Sequence, residues 1–165
     1  MTLRATKTLL VLATAFLYTL VVFNNLTDYG SNFEFVRHVL MMDSTLPDNH
    51  AMWRAVNRPA WHNAFYIAII AWEAATTVLL WWGGLRLARA ARGTAAPFNR
   101  AKNIAIAALT LGLLMWLVAF LAVGGDWFLM WQSKAWNGQN AALRMFIVLG
   151  IVLLLLAQPD GDGSN

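Results

Sequence analysis

The chain has 165 residues, a length that fits a single domain. Hydrophobic residues make up 59% of it and charged residues only 12%, against about 25% in ordinary soluble domains. The net charge of +4 comes from basic residues beside apolar runs, which indicates membrane topology and argues against nucleic-acid binding. Because there is no cysteine, disulfides, thiolate catalysis, iron–sulfur clusters and cysteine-based zinc sites are excluded.

Four apolar runs predict transmembrane helices, over about residues 8–26, 62–82, 104–124 and 140–157. Each is close to the ~20 residues that cross a bilayer as a helix, and none shows the alternation of a barrel strand. The first run has no small-residue cleavage site, so we interpret it as a retained helix and not as a signal peptide. The expected fold is an all-α four-helix bundle in the membrane, one domain over 1–157, followed by a disordered tail over 158–165.

The first loop, residues 27–61, is too long and apolar to be a plain linker, and it predicts two short helices. Ser31 to Glu34 form a capping-box pattern, so the first helix should begin there. The second should begin near Pro47, with Asp48 as its cap, and end before Pro59. We expect both helices to cover the outer end of the bundle.

The distribution of charge predicts how the chain crosses the membrane. The link between the second and third spans contains only basic charges, and the N-terminus adds Arg4 and Lys7. Cytoplasmic loops are enriched in Lys and Arg, so both termini and the 83–103 link should be cytoplasmic. Tryptophans near the span ends agree with this arrangement. The glycine pairs 83–84 and 124–125 lie at span ends, where we expect them to stop helices.

The second span has two contrasting faces. A stripe of small residues predicts a helix–helix contact and consists of Ala64, Ala68, Ala71 and Ala75. The opposite, polar stripe consists of His62, Tyr66, Glu73 and Thr77. Glu73 is the most informative residue, because a carboxylate at bilayer depth costs roughly 2.5–3.5 kcal/mol and normally has a partner or a purpose.

The first span offers a matching polar face made of Thr14, Tyr18 and Asn25. If the two helices run antiparallel, Asn25 is level with His62 while Tyr18 and Thr14 bracket Glu73. We therefore expect Glu73 to hydrogen-bond Tyr18 or Thr14 as a neutral acid. Its role is either to pin the two helices together, to handle a proton or ligand, or to face a partner subunit.

Several polar residues are candidates for a site at the outer face: His38, His62, Arg54, Arg58, Asp126 and Arg144. The first five would form an enzymatic cluster if they converged. Arg144 should snorkel, pair with Asp126, Asp28 or the Asn24–Asn25 pair, or bind an anion beneath the loop. The histidines match no zinc spacing and only His62 is near a span, so we predict no metal, haem or other cofactor.

Several segments resemble the DUF2165 family, predicted small integral membrane proteins of bacteria. They are Asn24-Asn-Leu-Thr-Asp-Tyr-Gly-Ser-Asn-Phe33, Val36-Arg-His-Val-Leu-Met-Met-Asp43, Trp53-Arg-Ala-Val, Gly124-Gly-Asp-Trp-Phe-Leu-Met-Trp-Gln-Ser133 and Trp136-Asn-Gly-Gln139. The resemblance covers essentially the whole chain. It implies a multi-pass protein of the bacterial inner (plasma) membrane and no particular chemistry.

Three functional hypotheses follow from the sequence. The first is a non-enzymatic accessory or assembly subunit of a membrane complex, since the chain is small and has an aromatic outer face. The second is a small proton-coupled transporter or ligand-binding membrane protein that uses Glu73. The third is an outer-face membrane enzyme. The expected partners are the lipid bilayer and a membrane protein or a second copy of this chain, with no nucleic acid.

Overall fold

The computed structural model describes residues 3–162, most of which are helical and none of which is in a strand. Five α-helices are present: α1 Leu3–Thr27, α2 Tyr29–Met41, α3 Pro59–Ala90, α4 Ala95–Leu114 and α5 Gln139–Ala157. The helix α4 continues as a π-helix over Met115–Trp127, and single 3₁₀ turns occur at Met52–Arg54 and Met130–Gln132. The helices α1, α3, α5 and the continuous helix Ala95–Trp127 are long and apolar enough to cross a membrane. The all-α class and the four spanning helices are therefore confirmed.

The spanning helices pack in the order α1, α3, α4, α5, with a looser contact between α1 and α5. Their shared core is apolar, and its members with no exposed surface include Val11, Tyr18, Leu80, Leu109 and Leu149. This core is concentrated in the half of the bundle away from the first loop. We call that end the tail end, formed by the start of α1, the turn 91–94 and residues 158–162. The opposite end, formed by residues 28–58 and 128–138, is the loop end.

The glycine pair at 83–84 does not stop a helix, because α3 continues to Ala90. A Cβ atom on Gly83 would lie 2.7 Å from the backbone nitrogen of Ala105, and one on Gly84 would lie 2.6 Å from Leu12 Cδ2. These glycines let α3 approach α4 and α1 closely, as small residues do in membrane helices. Similarly, the pair at 124–125 lies inside the π-helix.

The alanine stripe of α3 does not make the predicted helix contact. All four residues are exposed: Ala64, Ala68, Ala71 and Ala75. The polar stripe faces α1, and the alanine stripe on the opposite side is exposed, although Ala68 also borders the space between α3, α2 and the π-helix. Alanine is tolerated there because lipid is apolar.

The first loop contains one helix and one short turn. The helix α2 begins at Tyr29, directly after Asp28, and Glu34 pairs with Arg37 without capping the helix. The capping-box pattern therefore predicted the wrong first residue for this helix, because α2 follows α1 almost without interruption. The second helix is reduced to the turn Met52–Arg54. Asp48 has a φ of 62°, whereas an N-cap residue needs extended backbone angles.

Residues 158–162 are docked against the bundle, so the prediction of a disordered tail is wrong for them. Asp160 forms ion pairs with Lys7 at 2.8 Å and with Lys102, and its side chain is only 4% exposed. Asp162 accepts a hydrogen bond from the backbone nitrogen of Ala95 at 2.5 Å, at the start of α4. The tail thus joins α1 to α4. Residues 163–165 lie outside the described part of the chain.

Candidate functional site

Glu73 is buried, with 2% of its surface exposed, and its hydrogen-bond partner lies on α1. The side-chain nitrogen of Asn25 donates to Glu73 Oε2 at 2.5 Å. Tyr18 and Thr14 do not fill this role: the hydroxyl of Tyr18 accepts a bond from Trp116, and that of Thr14 donates to the backbone of Leu10. The pairing of α1 with α3 at Glu73 was anticipated, but the predicted partners are wrong.

The error comes from the register between the two helices. Gly84 lies against Leu12, and the indole of Trp81 donates to Thr19, so α1 is matched to the later turns of α3. The first turns of α3 extend beyond α1, and α2 packs on them through Val36 and Leu40. Counting inward from both span ends missed this offset because the conformation of the loop determines it.

Asn25 connects Glu73 to the loop end through a short chain of hydrogen bonds. Its Oδ1 accepts from Asn32 Nδ2 at 2.7 Å and from the hydroxyl of Tyr66 at 3.3 Å. Asn32 is exposed, whereas Asn25, Tyr66 and Glu73 are buried. A network of this kind fixes the orientation of the Asn25 amide, so its nitrogen points at the carboxylate.

Two tryptophans at mid-span also bond across helices. The indole of Trp116, on the π-helix, donates to the Tyr18 hydroxyl at 2.9 Å. The indole of Trp72 donates to the carbonyl of Leu111 at 3.0 Å. Sequence reasoning missed Trp116 and Asn32 as members of the site. The signal for Trp116 was its position, because an indole N–H at bilayer depth requires an acceptor.

A cavity of about 370 Å³ reaches Glu73 in the loop half of the bundle. All four spanning helices and α2 contribute to its lining, which includes Val21, Asn24, Asn25, Asn32, Tyr66, Glu73, Trp116 and Ala141. Glu73 is the only charged residue of that lining. Ile69, between Tyr66 and Glu73 on α3, also lines this cavity.

A second cavity of about 330 Å³ adjoins the first and is almost entirely apolar. It lies between α2, α3 and the π-helix, and it shares four lining residues with the Glu73 cavity: Phe35, Val36, Ile69 and Phe120. Phe35 stacks on Phe120 at 6.4 Å between ring centroids. Only side chains therefore separate a polar cavity from an apolar one.

The remaining members of the polar stripe make local bonds. His62 Nε2 lies 2.6 Å from the carbonyl of Val56, so this nitrogen carries the proton and donates it. The hydroxyl of Thr77 donates to the backbone carbonyl of Glu73 at 2.8 Å. These contacts stabilise the helix and its start, and neither residue lines the cavity.

The outer-face candidates are engaged in separate contacts. His38 bonds to Asp43 at 2.8 Å and stacks on Trp136. The guanidinium of Arg54 lies over Trp53 and Trp127, 5.2 and 4.7 Å from their ring centroids.

Three further candidates have exposed side chains with no hydrogen bond or ion pair among residues 3–162: Arg58, Asp126 and Arg144. The pairing predicted for Arg144 is therefore absent. In the same range, no group of three His, Asp or Glu residues has a geometry that could hold a metal ion.

Residues 3–159 match the family described as predicted small integral membrane protein, DUF2165, and the chain belongs to this family. No curated protein and no solved structure matches the chain. The family description agrees with the four spanning helices and assigns no reaction.

Proposed function

We propose that this DUF2165 protein binds a small, mostly apolar molecule that carries a hydrogen-bond-donating or cationic group such as an amine. The observation that supports this function is the cavity at Glu73, the one charged group in its lining. Its volume of about 370 Å³ falls within the range of roughly 300–1,000 Å³ of small-molecule sites.

The carboxyl group of Glu73 has capacity left for a ligand. Oε2 accepts the bond from Asn25, whereas Oε1 has no hydrogen bond from any residue in the described range. Because no cation lines the cavity, a ligand with a donor group would supply the missing partner. The adjoining apolar cavity could accept the rest of such a molecule if Phe35 turned aside.

The geometry favours binding over transport. On the tail side of Glu73 the core is closed by residues with no exposed surface, including Tyr18, Leu80 and Leu109. The π-helix forms a wall of both cavities. Such segments are rare and occur frequently at functional sites, which supports a ligand site here.

Single-cysteine variants test this function directly, because the chain contains no cysteine. Val21→Cys, in the cavity lining, should react with a cationic methanethiosulfonate reagent in detergent solution. Hexylammonium at about ten times its Kd should slow this reaction about tenfold, because it occupies most of the sites. Glu73→Gln in the same background should remove the protection.

Two matched controls make the labelling experiment decisive. Ile147→Cys lies on the outer surface of α5 and should react slowly, while Glu34→Gln, outside the cavity, should retain protection by hexylammonium. If Val21→Cys reacted no faster than Ile147→Cys, the cavity would be closed to water. If hexylammonium still protected Val21→Cys in the Glu73→Gln background, Glu73 would not be part of the binding site. Either result contradicts the proposed function.

We also propose that the tail end faces the cytoplasm of a bacterium, with the protein in its inner membrane. In support, Arg4 bonds to the carbonyls of Gly93 and Gly161, so the start of α1, the docked tail residues and the basic α3–α4 turn lie together. An impermeant maleimide added to intact cells should label Asn137→Cys and spare Gly93→Cys. The reverse labelling would invert this topology.

A second candidate function is a non-enzymatic accessory or assembly subunit of a membrane complex. It is favoured by exposed tryptophans at the loop end and on the adjoining helix turns: Trp53, which is 72% exposed, Trp61, Trp127 and Trp131. Such aromatic surfaces suit docking to another membrane protein or to a second copy of the chain. Affinity purification in mild detergent with mass spectrometry tests it, and recovery as a lone monomer would count against it.

A further inference from the structure

The basic residues of the tail end fall into two groups that differ in their partners. Arg4, Lys7 and Lys102 bond to Asp160 or Asp162. In contrast, four arginines have exposed side chains with no hydrogen bond or ion pair in the range 3–162: Arg86, Arg89, Arg92 and Arg100. The chain has eight acidic residues, and the others are Glu73, Asp126 in the last turn of the π-helix, and four residues of the loop end. Within residues 3–162, this second group therefore has no carboxylate partner.

Three of these arginines surround one groove between the end of α3 and the start of α4. Arg86 and Arg89, one helical turn apart, line it from α3, and Arg100 lines it from α4. The groove has a volume of about 600 Å³, and Trp82 and Pro97 complete its walls. Trp82 is 53% exposed, and its position near the end of a spanning helix is typical of the membrane interface.

We propose that this groove binds a phosphate group, presented by an anionic phospholipid of the surrounding membrane. Guanidinium groups bind phosphate oxygens through paired, charge-assisted hydrogen bonds, and three of them converge here from two helices. The wall formed by Trp82 places the groove beside the acyl region, where a lipid chain can pack. Basic pockets between spanning helices are a recognised arrangement for anionic headgroups.

The test compares phosphatidylglycerol, phosphatidylcholine and inorganic phosphate added to delipidated protein in detergent, with retained lipid measured by native mass spectrometry. Wild type should retain phosphatidylglycerol and not phosphatidylcholine. The double variant Arg86→Gln with Arg100→Gln should bind phosphatidylglycerol at least about tenfold more weakly, because two charge-assisted contacts are lost. Its melting temperature should be unchanged, since both side chains are exposed.

Two further variants control for the loss of positive charge, and combined they remove the same two charges as the test variant. Arg92→Gln alters an exposed arginine in the turn 91–94, next to the groove but not part of its lining. Arg144→Gln alters an exposed arginine near the loop end. Both should retain the lipid. If they lost it as strongly as the double variant, or if the double variant bound normally, a specific groove would be ruled out. Displacement of the lipid by equimolar inorganic phosphate would support phosphate recognition but overturn the lipid as its source.

Discussion

The two ends of the bundle bury acidic side chains in opposite ways. At the tail end, Asp160 lies between Lys7 and Lys102, and all three side chains are almost fully buried. In the loop half, Glu73 has one amide partner and borders a cavity. A carboxylate that is enclosed by cations acts as a structural lock, whereas one with unused bonding capacity beside open space can receive a ligand.

The largest expected effect comes from breaking the lock. Asp160→Asn leaves Lys7 and Lys102 buried without a counterion, which should lower the free energy of unfolding by about 3–5 kcal/mol. Equilibrium unfolding in mixed micelles measures this change. The matched control is Asp162→Asn, whose side chain is 59% exposed, and it should cost no more than about 1 kcal/mol. Equal losses in both variants would contradict a specific role for Asp160.

Acid should weaken the same lock in a predictable pH range. Burial raises the pKa of the Asp160 carboxyl, but hydrogen bonds from Lys102 and Lys7 outweigh it, so the pKa lies below its usual range. The stabilisation is therefore fully present above the unfolded pKa of about 3.9 and is lost as pH falls further. Unfolding measured from pH 7 to pH 3 should show a loss of stability below about pH 4 that Asp160→Asn lacks. A loss that began above pH 5 in wild type alone would contradict this assignment.

The smallest effect on stability is expected at Glu73. Glu73→Gln keeps a carbonyl oxygen for the Asn25 amide, and the cavity gives the new group space to be solvated. The free energy of unfolding should change by less than about 1 kcal/mol. A destabilisation as large as that of Asp160→Asn would mean that Glu73 is a second structural lock, and the contrast between the two ends would fail.

Much of the fold follows from the amino-acid sequence because the bilayer imposes strong local rules. Apolar runs of sufficient length must become helices, which is why α1, α3, the continuous helix Ala95–Trp127 and α5 were predictable. A partner for Glu73 on α1 was equally predictable, since a buried carboxyl group requires one. The helix α2 was expected as an element, although its first residue was not.

The contacts between distant parts of the chain were decided only by the tertiary structure. The partner of Glu73 depends on the register of α1 against α3, which the packing of α2 on α3 shifts toward the tail end. Asp160 meets Lys7 across 153 positions, so its local sequence, rich in Gly and Asp, carried no sign of docking. The sequence by itself therefore determined the spanning helices and their buried charge. The tertiary structure decided that Asp160 is paired with two lysines while Glu73 keeps unused hydrogen-bonding capacity. Such pairing depends on three-dimensional geometry, which the periodicity of apolar residues does not encode.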